Sequence, residues 1–319
     1  MTAKPPLSAQ ELCQSVRSCA SFDASRLDRV LAVDEARGLV EVQSGASWKS
    51  LAARLRPGDG RAQEVRTAHP TIGESLACNA AGPDGRPTVS HVQSLTMVTP
   101  DGHLRRVDRM TNPGLFALVV GGHGLFGAIY SVTLRIESLA RALAEARAPE
   151  DQLDRFGQLG QRGELRARTP RKLVLLVPPV RLEALVAACR DCCAEWRFDL
   201  ESLAVRRVRA DEETFLRLPG QEYCEVSFGL AEGANLGAQV RLTQLKRSLI
   251  DLAISHGGGF PISCTPEATR EQTEACYPQL AGFLAEQRRI DPQERWVNGW
   301  LRHQRSLLTR EACEVRWGS

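Results

Sequence analysis

Several things are scarce in this chain, and each scarcity narrows what it can be. No apolar run approaches the ~20 residues that a membrane-crossing helix requires. The first residues, Met1 to Pro6, have no apolar core of the kind a secretory signal carries, so a cytoplasmic protein is expected. Aromatic residues make up only 5% of the chain and do not alternate with basic ones, which leaves no stacking platform for nucleic acid. Charge of one sign is also missing: 41 Lys and Arg face 38 Asp and Glu, for a net charge of +3, too little for a dedicated nucleic-acid surface. The ten cysteines lack the spacing of a disulfide framework. Cys189, Cys192 and Cys193 cluster on one helical stretch, but no second Cys or His pair stands near them at ligand spacing. They read as small buried thiols in a reduced compartment, and no metal site is expected. No internal repeat is visible.

What is present is glycine in one place. Residues 112–136 begin with Asn112, able to cap, and Pro113 at a first helical position, followed by an apolar face of Leu115, Phe116, Leu118 and Val119. Gly121, Gly122, Gly124 and Gly127 then crowd together ahead of a β-branched, alternating run from Ile129 to Ile136. Glycine at that density means a backbone turning through positive φ or a surface approached too closely for a Cβ. A helix C-cap with a tight turn satisfies the pattern, and so does a flat ligand lying on the backbone.

The 319 residues suffice for one large or two ordinary domains. Residues 8–17 have helical character, with Leu12 and Val16 on one face. Short strands at 30–33 and 39–43 flank a hairpin turn at 34–38. Ser47 can cap a helix carrying Trp48, Leu51 and Leu55, ended by Pro57 to Gly60. Thr71 and Glu74 have capping-box spacing, so a helix is expected to start there and stop at Gly82. Residues 91–99 alternate as a strand, and Pro100, Asp101 and Gly102 turn the chain back along 104–107. Beyond Ile136 come a helix at 138–148, a polar connector at 151–168 and then a strand at 172–177, a helix at 182–196, strands at 203–208 and 222–230, and a helix at 238–254. That β-α-β-β-α order suggests an α+β layer on an antiparallel sheet, with its boundary near 138–170. Short helices surround Tyr277 and Pro278, and Asp291 with Pro292 ends the second of them.

The ordered set from residues 30–44, through Thr71 to Gly73, Cys78 to Gly82, Ser90 to Gly102 and Leu115 with Phe116, to Gly121–Ile129 resembles the flavin-binding domain of vanillyl-alcohol-oxidase-type FAD-dependent oxidoreductases. The run from Tyr277 to Phe283, Asp291 with Pro292, and Asn298 to His303 is similar to the same family. The nearest branch is that of sugar and alditol oxidases, including the decaprenylphosphoryl-ribose oxidases. The resemblance implies an α+β chain: an FAD-binding-type domain over 1–137 with a shortened N-terminal part, a cap or substrate domain over 138–255, and a segment 256–319 returning to the flavin side. It implies non-covalent FAD gripped by Thr71, Gly73, Asn79, Gly82, Ser90, His91, Gly121, Gly122, Gly124, Gly127 and Ile129. The helix starting at Thr71 would aim free N–H groups at the phosphates. Ile129 would open an edge strand beside the flavin. The chemistry implied is hydride transfer from a sugar-like or alcohol substrate.

The sequence also departs from that family at cofactor positions. Where a glycine-rich phosphate loop is expected, only Arg17 to Ala20 stand, without glycine, so no anion nest can form there. Glu74 replaces a second glycine and brings negative charge to a phosphate position. Ala81 stands where the family has His, Gln287 where it has a basic residue, and Phe260 to Thr265 replace a segment containing Tyr and His. No catalytic base is identified: His91, His123 and His256 lie in loops or glycine-rich contexts, and Tyr223 and Tyr277 read as core or surface residues. Two functions stay open. One is an FAD-linked oxidoreductase acting on CH–OH groups; the other is a degenerate, non-catalytic relative serving as a partner or regulatory protein.

Overall fold

The computed structural model describes residues 7–18, 23–55, 69, 71–82, 84–145, 171–230 and 235–309. The expected turn at Pro57–Gly60 and the connector at 151–168 lie outside the described residues. The chain divides into two compact units.

The first unit comprises Met1–Ala148 together with two returning segments, Asp211–Arg217 and Gln279–Leu301. Helix α1 (Ala9–Arg17) begins at a capping box in which Ser8 accepts from the Glu11 N–H and the Glu11 carboxylate accepts from the Ser8 N–H. Its apolar face buries Leu12 and Val16 against Leu27, Val98 and Ala128, with Trp296 and Tyr130 packed alongside. Strands β1 (Val30–Asp34) and β2 (Leu39–Gln43) form the expected hairpin, closed by Gly38 at φ 65°. Helix α2 (Trp48–Leu55) follows, with the Ser50 N–H donating to the Ser47 hydroxyl, and then the short helix α3 (Ile72–Cys78). Strands β3 (Val92–Val98) and β4 (Leu104–Asp108) form the second hairpin. Helix α4 (Pro113–Val119), strand β5 (Ala128–Arg135) and helix α5 (Ile136–Glu145) complete the run.

The sheet is antiparallel throughout, in the order β1-β2-β5-β3-β4. Its alternation buries Val40, Val42, Leu95, Met97, Val132 and Leu134 completely. The expectation that Ile129 opens an edge strand is overturned, because β5 pairs with β2 on one side and β3 on the other. The edge reading failed because strand order depends on contacts between residues 30 to 96 positions apart in sequence. Two further corrections concern caps. Asn112 sits at the N-terminus of α4, but in a left-handed conformation (φ 55°) with no capping bond from its side chain. The Asp108 carboxylate instead accepts from the N–H groups of Met110 and Thr111 just ahead of it. Helix α3 stops at Cys78 rather than Gly82, because Asn79 takes the left-handed conformation (φ 45°) that ends it.

The second unit comprises Pro149–Ala210, Leu218–Pro278 and Arg302–Ser319. Strand β6 (Arg171–Val177), helix α6 (Leu182–Glu195), strands β7 (Leu200–Val208) and β8 (Tyr223–Leu230) and helix α7 (Leu236–Ser255) reproduce the β-α-β-β-α order. The sheet is antiparallel, β6-β8-β7. Helix α6 buries Leu185, Val186, Cys189 and Cys193; α7 buries Leu245, Leu249, Ile250 and Ala253. Burial pushes the Cys189 thiol up to about 12 and that of Cys193 to about 11, so both stay protonated apolar side chains. Helix α8 (Arg270–Cys276) closes this unit, α9 (Leu280–Ile290) belongs to the first, and α10 (Gly299–Thr309) runs from the first into the second. The Tyr277 hydroxyl is buried, donating to the Phe260 carbonyl and accepting from the Ile262 N–H.

Candidate cofactor site

The residues expected to hold a flavin are described within the first unit. The structure gathers them into small groups, each tied to other parts of the protein.

The N-terminus of α3 carries Thr71 and Gly73. A free helix N-terminus offers several N–H groups to an anion. Here the Ile72 N–H donates to the Ala46 carbonyl at 3.0 Å, the Gly73 N–H to the Ser44 carbonyl at 2.6 Å and the Glu74 N–H to the Thr71 hydroxyl at 3.2 Å. The Glu74 carboxylate turns back to the Thr71 N–H at 3.4 Å, completing the capping box. Gly73 is glycine for a local reason: a Cβ there would lie 2.9 Å from the Ser44 carbonyl oxygen. The expectation that α3 aims unsatisfied N–H groups at a phosphate is therefore corrected. Its first turn is sealed by the protein itself.

Ser44 is the residue that sequence reasoning missed here. Its hydroxyl donates to the Ile129 carbonyl at 2.6 Å and its N–H to the Tyr130 carbonyl at 3.2 Å, while its own carbonyl takes the Gly73 N–H. One small residue thus ties α3 to β5. A serine after a strand with a glycine behind it was the available signal, and it does not say which distant carbonyl will be met.

At the other end of α3, Asn79 accepts from the Val89 N–H at 3.0 Å and donates to Asp211 at 2.8 Å. Asp211 in turn accepts from the N–H groups of Glu213 and Thr214 and from the Thr214 hydroxyl. The returning segment is anchored a second time by Arg109, whose guanidinium makes a forked pair with Glu213 (2.5 and 3.0 Å) and donates to the Val92 and Val89 carbonyls. It also lies over the Phe116 ring, 5.1 Å from its centre. None of Arg109, Asp211 and Glu213 was singled out from sequence, since nothing local marks a partner about a hundred residues away.

The glycine turn closes on the same end of α3. The Gly121 N–H donates to the Leu76 carbonyl at 2.8 Å, which also takes the Asn79 N–H at 3.1 Å, and the His123 N–H donates to the Ala77 carbonyl at 2.9 Å. A Cβ on Gly122 would sit 2.1 Å from the Leu118 carbonyl oxygen, and one on Gly127 would sit 2.2 Å from that of Val98. Gly124, at φ 72°, has nothing within 4 Å. Of the four, it alone faces open space. His123 stacks on Trp300 with ring centres 4.0 Å apart, and its carbonyl accepts from Asn298 at 2.8 Å. Burial pushes the His123 imidazole down to about 4, so it is neutral near pH 7 and serves as a flat stacking surface. Phe283 meets both Trp300 and Phe126 edge-on.

The last group holds Gly82, Ser90 and His91. His91 is buried, with Nδ1 2.7 Å from the Ser138 hydroxyl and Nε2 3.6 Å from the Asp84 carboxylate. Gly82 pairs its N–H with the Arg86 carbonyl at 2.7 Å, and a Cβ there would approach Asp84 at 3.0 Å and His91 at 3.7 Å. Ser90 is half-buried and its carbonyl accepts from Arg135 at 3.5 Å. Gln287, expected near a flavin, is fully buried in α9.

A flavin's pyrophosphate can thus be tested against this geometry. The first turn of α3 does not fit it: the three N–H groups are bonded within the protein, Glu74 adds like charge, and the Gly73 Cβ space is filled by Ser44. No chemical step is assigned to that end of the helix. Among the described residues, no group of three or more His, Cys, Asp and Glu could hold a metal ion, and no helix is long and apolar enough to cross a membrane.

Comparison with curated proteins gave no match. Residues 10–108 match the family model described as FAD binding domain, a span that opens in α1 and closes at the last residue of β4.

Proposed function

We propose that the protein is an FAD-linked oxidoreductase of the vanillyl-alcohol-oxidase type, acting on the CH–OH group of a sugar-like or alcohol substrate. The observation that carries this reading is the FAD binding domain match over residues 10–108, which supplies four of the five strands of the first unit's sheet. When bound, flavin supplies a hydride acceptor. This chain's contribution would lie in binding and orientation, with the first unit on the cofactor side and the second as the cap. FAD would be held by parts of the chain other than the first turn of α3, with Gly124 the open position on the glycine turn; the closure of that turn of α3 supports this reading.

A second reading, a non-catalytic relative acting as a partner or regulatory protein, is favoured by the closure of α3 alone. The test that separates them is a visible spectrum of the purified protein followed by an FAD titration read as melting temperature. A ligand that binds only the native state must raise stability by mass action, by about 2.7 kcal/mol at a hundredfold excess over Kd. Flavin bands or a saturable rise support the oxidoreductase; a colourless protein whose melting ignores FAD supports the second reading.

A further inference from the structure

His91 sits on a short turn of 3-10 helix (Thr88–His91) and is only 3% exposed. Both of its ring nitrogens face polar partners: Ser138 Oγ lies 2.7 Å from Nδ1, and Asp84 Oδ2 lies 3.6 Å from Nε2. The Asp84 side chain is 2% exposed and has Arg86 as a second neighbour, guanidinium to carboxylate 3.7 Å. Desolvation pushes the Asp84 carboxyl up, but the His91 imidazole, the Arg86 N–H and the Arg86 guanidinium beside it outweigh that and hold the group below the usual range. An ionised carboxylate only accepts, so Nε2 carries the ring hydrogen and Nδ1 presents its lone pair. The hydroxyl of Ser138 therefore donates to Nδ1, which is the direction a general base needs.

Ser138 itself is half-buried and lies in the first turn of α5 (Ile136–Glu145). The positive end of the helix dipole favours negative charge on an oxygen placed there. The three residues come from separate stretches of chain: a loop, a 3-10 turn and a helix start. Serine, histidine and carboxylate in this relation are recognised by roles and distances rather than by their order in sequence.

We propose that Ser138 is a nucleophile that accepts the acyl group of an activated ester, with His91 as its general base and Asp84 holding the imidazole in the required tautomer. The inference does not depend on flavin. In the first step Ser138 Oγ bonds to the ester carbonyl carbon as its proton passes to His91 Nδ1. The carbon–oxygen bond to the leaving alcohol then breaks, and that alcohol departs with the proton, leaving acyl-Ser138 and neutral His91. Water repeats the exchange, giving the carboxylic acid and free Ser138, with no change of oxidation state.

The test uses the full-length protein with p-nitrophenyl acetate and, separately, a fluorophosphonate probe, read by nitrophenolate release, intact mass and peptide mapping. The expected result is one adduct, on Ser138, absent in Ser138→Ala and slowed about a hundredfold in His91→Gln, the size of a lost general base. Asp84→Asn is expected to move the pH profile of labelling, which a merely structural carboxylate would leave in place. Should His91→Gln fail to fold, Ser138→Cys replaces it: the new thiol should take iodoacetamide faster than the buried Cys189 and Cys193. No adduct on Ser138, an equal labelling rate without His91, or an unreactive Ser138→Cys thiol would each overturn the proposal.

Discussion

The two ends of α3 make the most informative contrast in the molecule. Both are helix termini with orphan backbone groups, and both were expected to face a cofactor. At the N-terminus the donors are taken up by Ala46, Ser44 and the capping box of Thr71 and Glu74. At the C-terminus the acceptors Leu76 and Ala77 are taken up by Gly121 and His123, yet the same glycine turn leaves Gly124 with empty space around it. Glycine density therefore reports close backbone approach without saying what approaches. Here the approaching group is mostly the protein's own backbone.

Four substitutions sharpen that contrast, in falling order of effect. Gly127→Ala should be the most damaging, since its Cβ would meet the Val98 carbonyl at 2.2 Å from a backbone at φ 131°. A loss on the order of 3 kcal/mol or more is expected in urea unfolding. A loss under about 1 kcal/mol would mean that the turn is not clamped on β3. Arg109→Ala comes next. It frees Glu213 and the Val89 and Val92 carbonyls together, and about 2 kcal/mol is expected once the half-exposed ion pair is discounted for solvent screening. Restoration by Lys should be partial, because one ammonium cannot reproduce the fork. Gly124→Ala costs only the positive φ, about 1 kcal/mol, with no steric term. A ratio of the two glycine effects near one would remove the distinction between the clamped and the open positions. Glu74→Gly is the smallest in stability, roughly 0.5–1 kcal/mol for a weakened cap. Its FAD midpoint should not move, because Ile72 and Gly73 keep their carbonyl partners. A tighter midpoint would show that the α3 turn does meet the cofactor.

How far the sequence told this story depends on the range of the interactions involved. Both hairpins were readable, because turn chemistry at residues 34–38 and 100–102 is local. The start of α3 was readable from Thr71 and Glu74, and the β-α-β-β-α run of the second unit from periodicity alone. The stop of α3 was misplaced because a glycine at 82 looked like the natural cap, while Asn79 could also take the left-handed conformation and is held there by Val89 and Asp211. Asn112 looks able to cap α4, but in the left-handed conformation its side chain makes no capping bond. The central place of β5, the bridging role of Ser44 and the return of Asp211–Arg217 to the first unit all rest on partners far away in sequence. The same holds for Ser138, whose meeting with His91 spans 47 residues.

The central claim is that this is an FAD-linked chain whose α3 turn is not the phosphate clamp. It is tested most directly by titrating the purified wild-type protein and Glu74→Gly with FAD in parallel and reading melting temperature. The account predicts a saturable rise in both, with the same midpoint. A flat response in both proteins up to millimolar FAD would contradict the oxidoreductase reading, and a rise only in Glu74→Gly would contradict the placement of the cofactor away from α3.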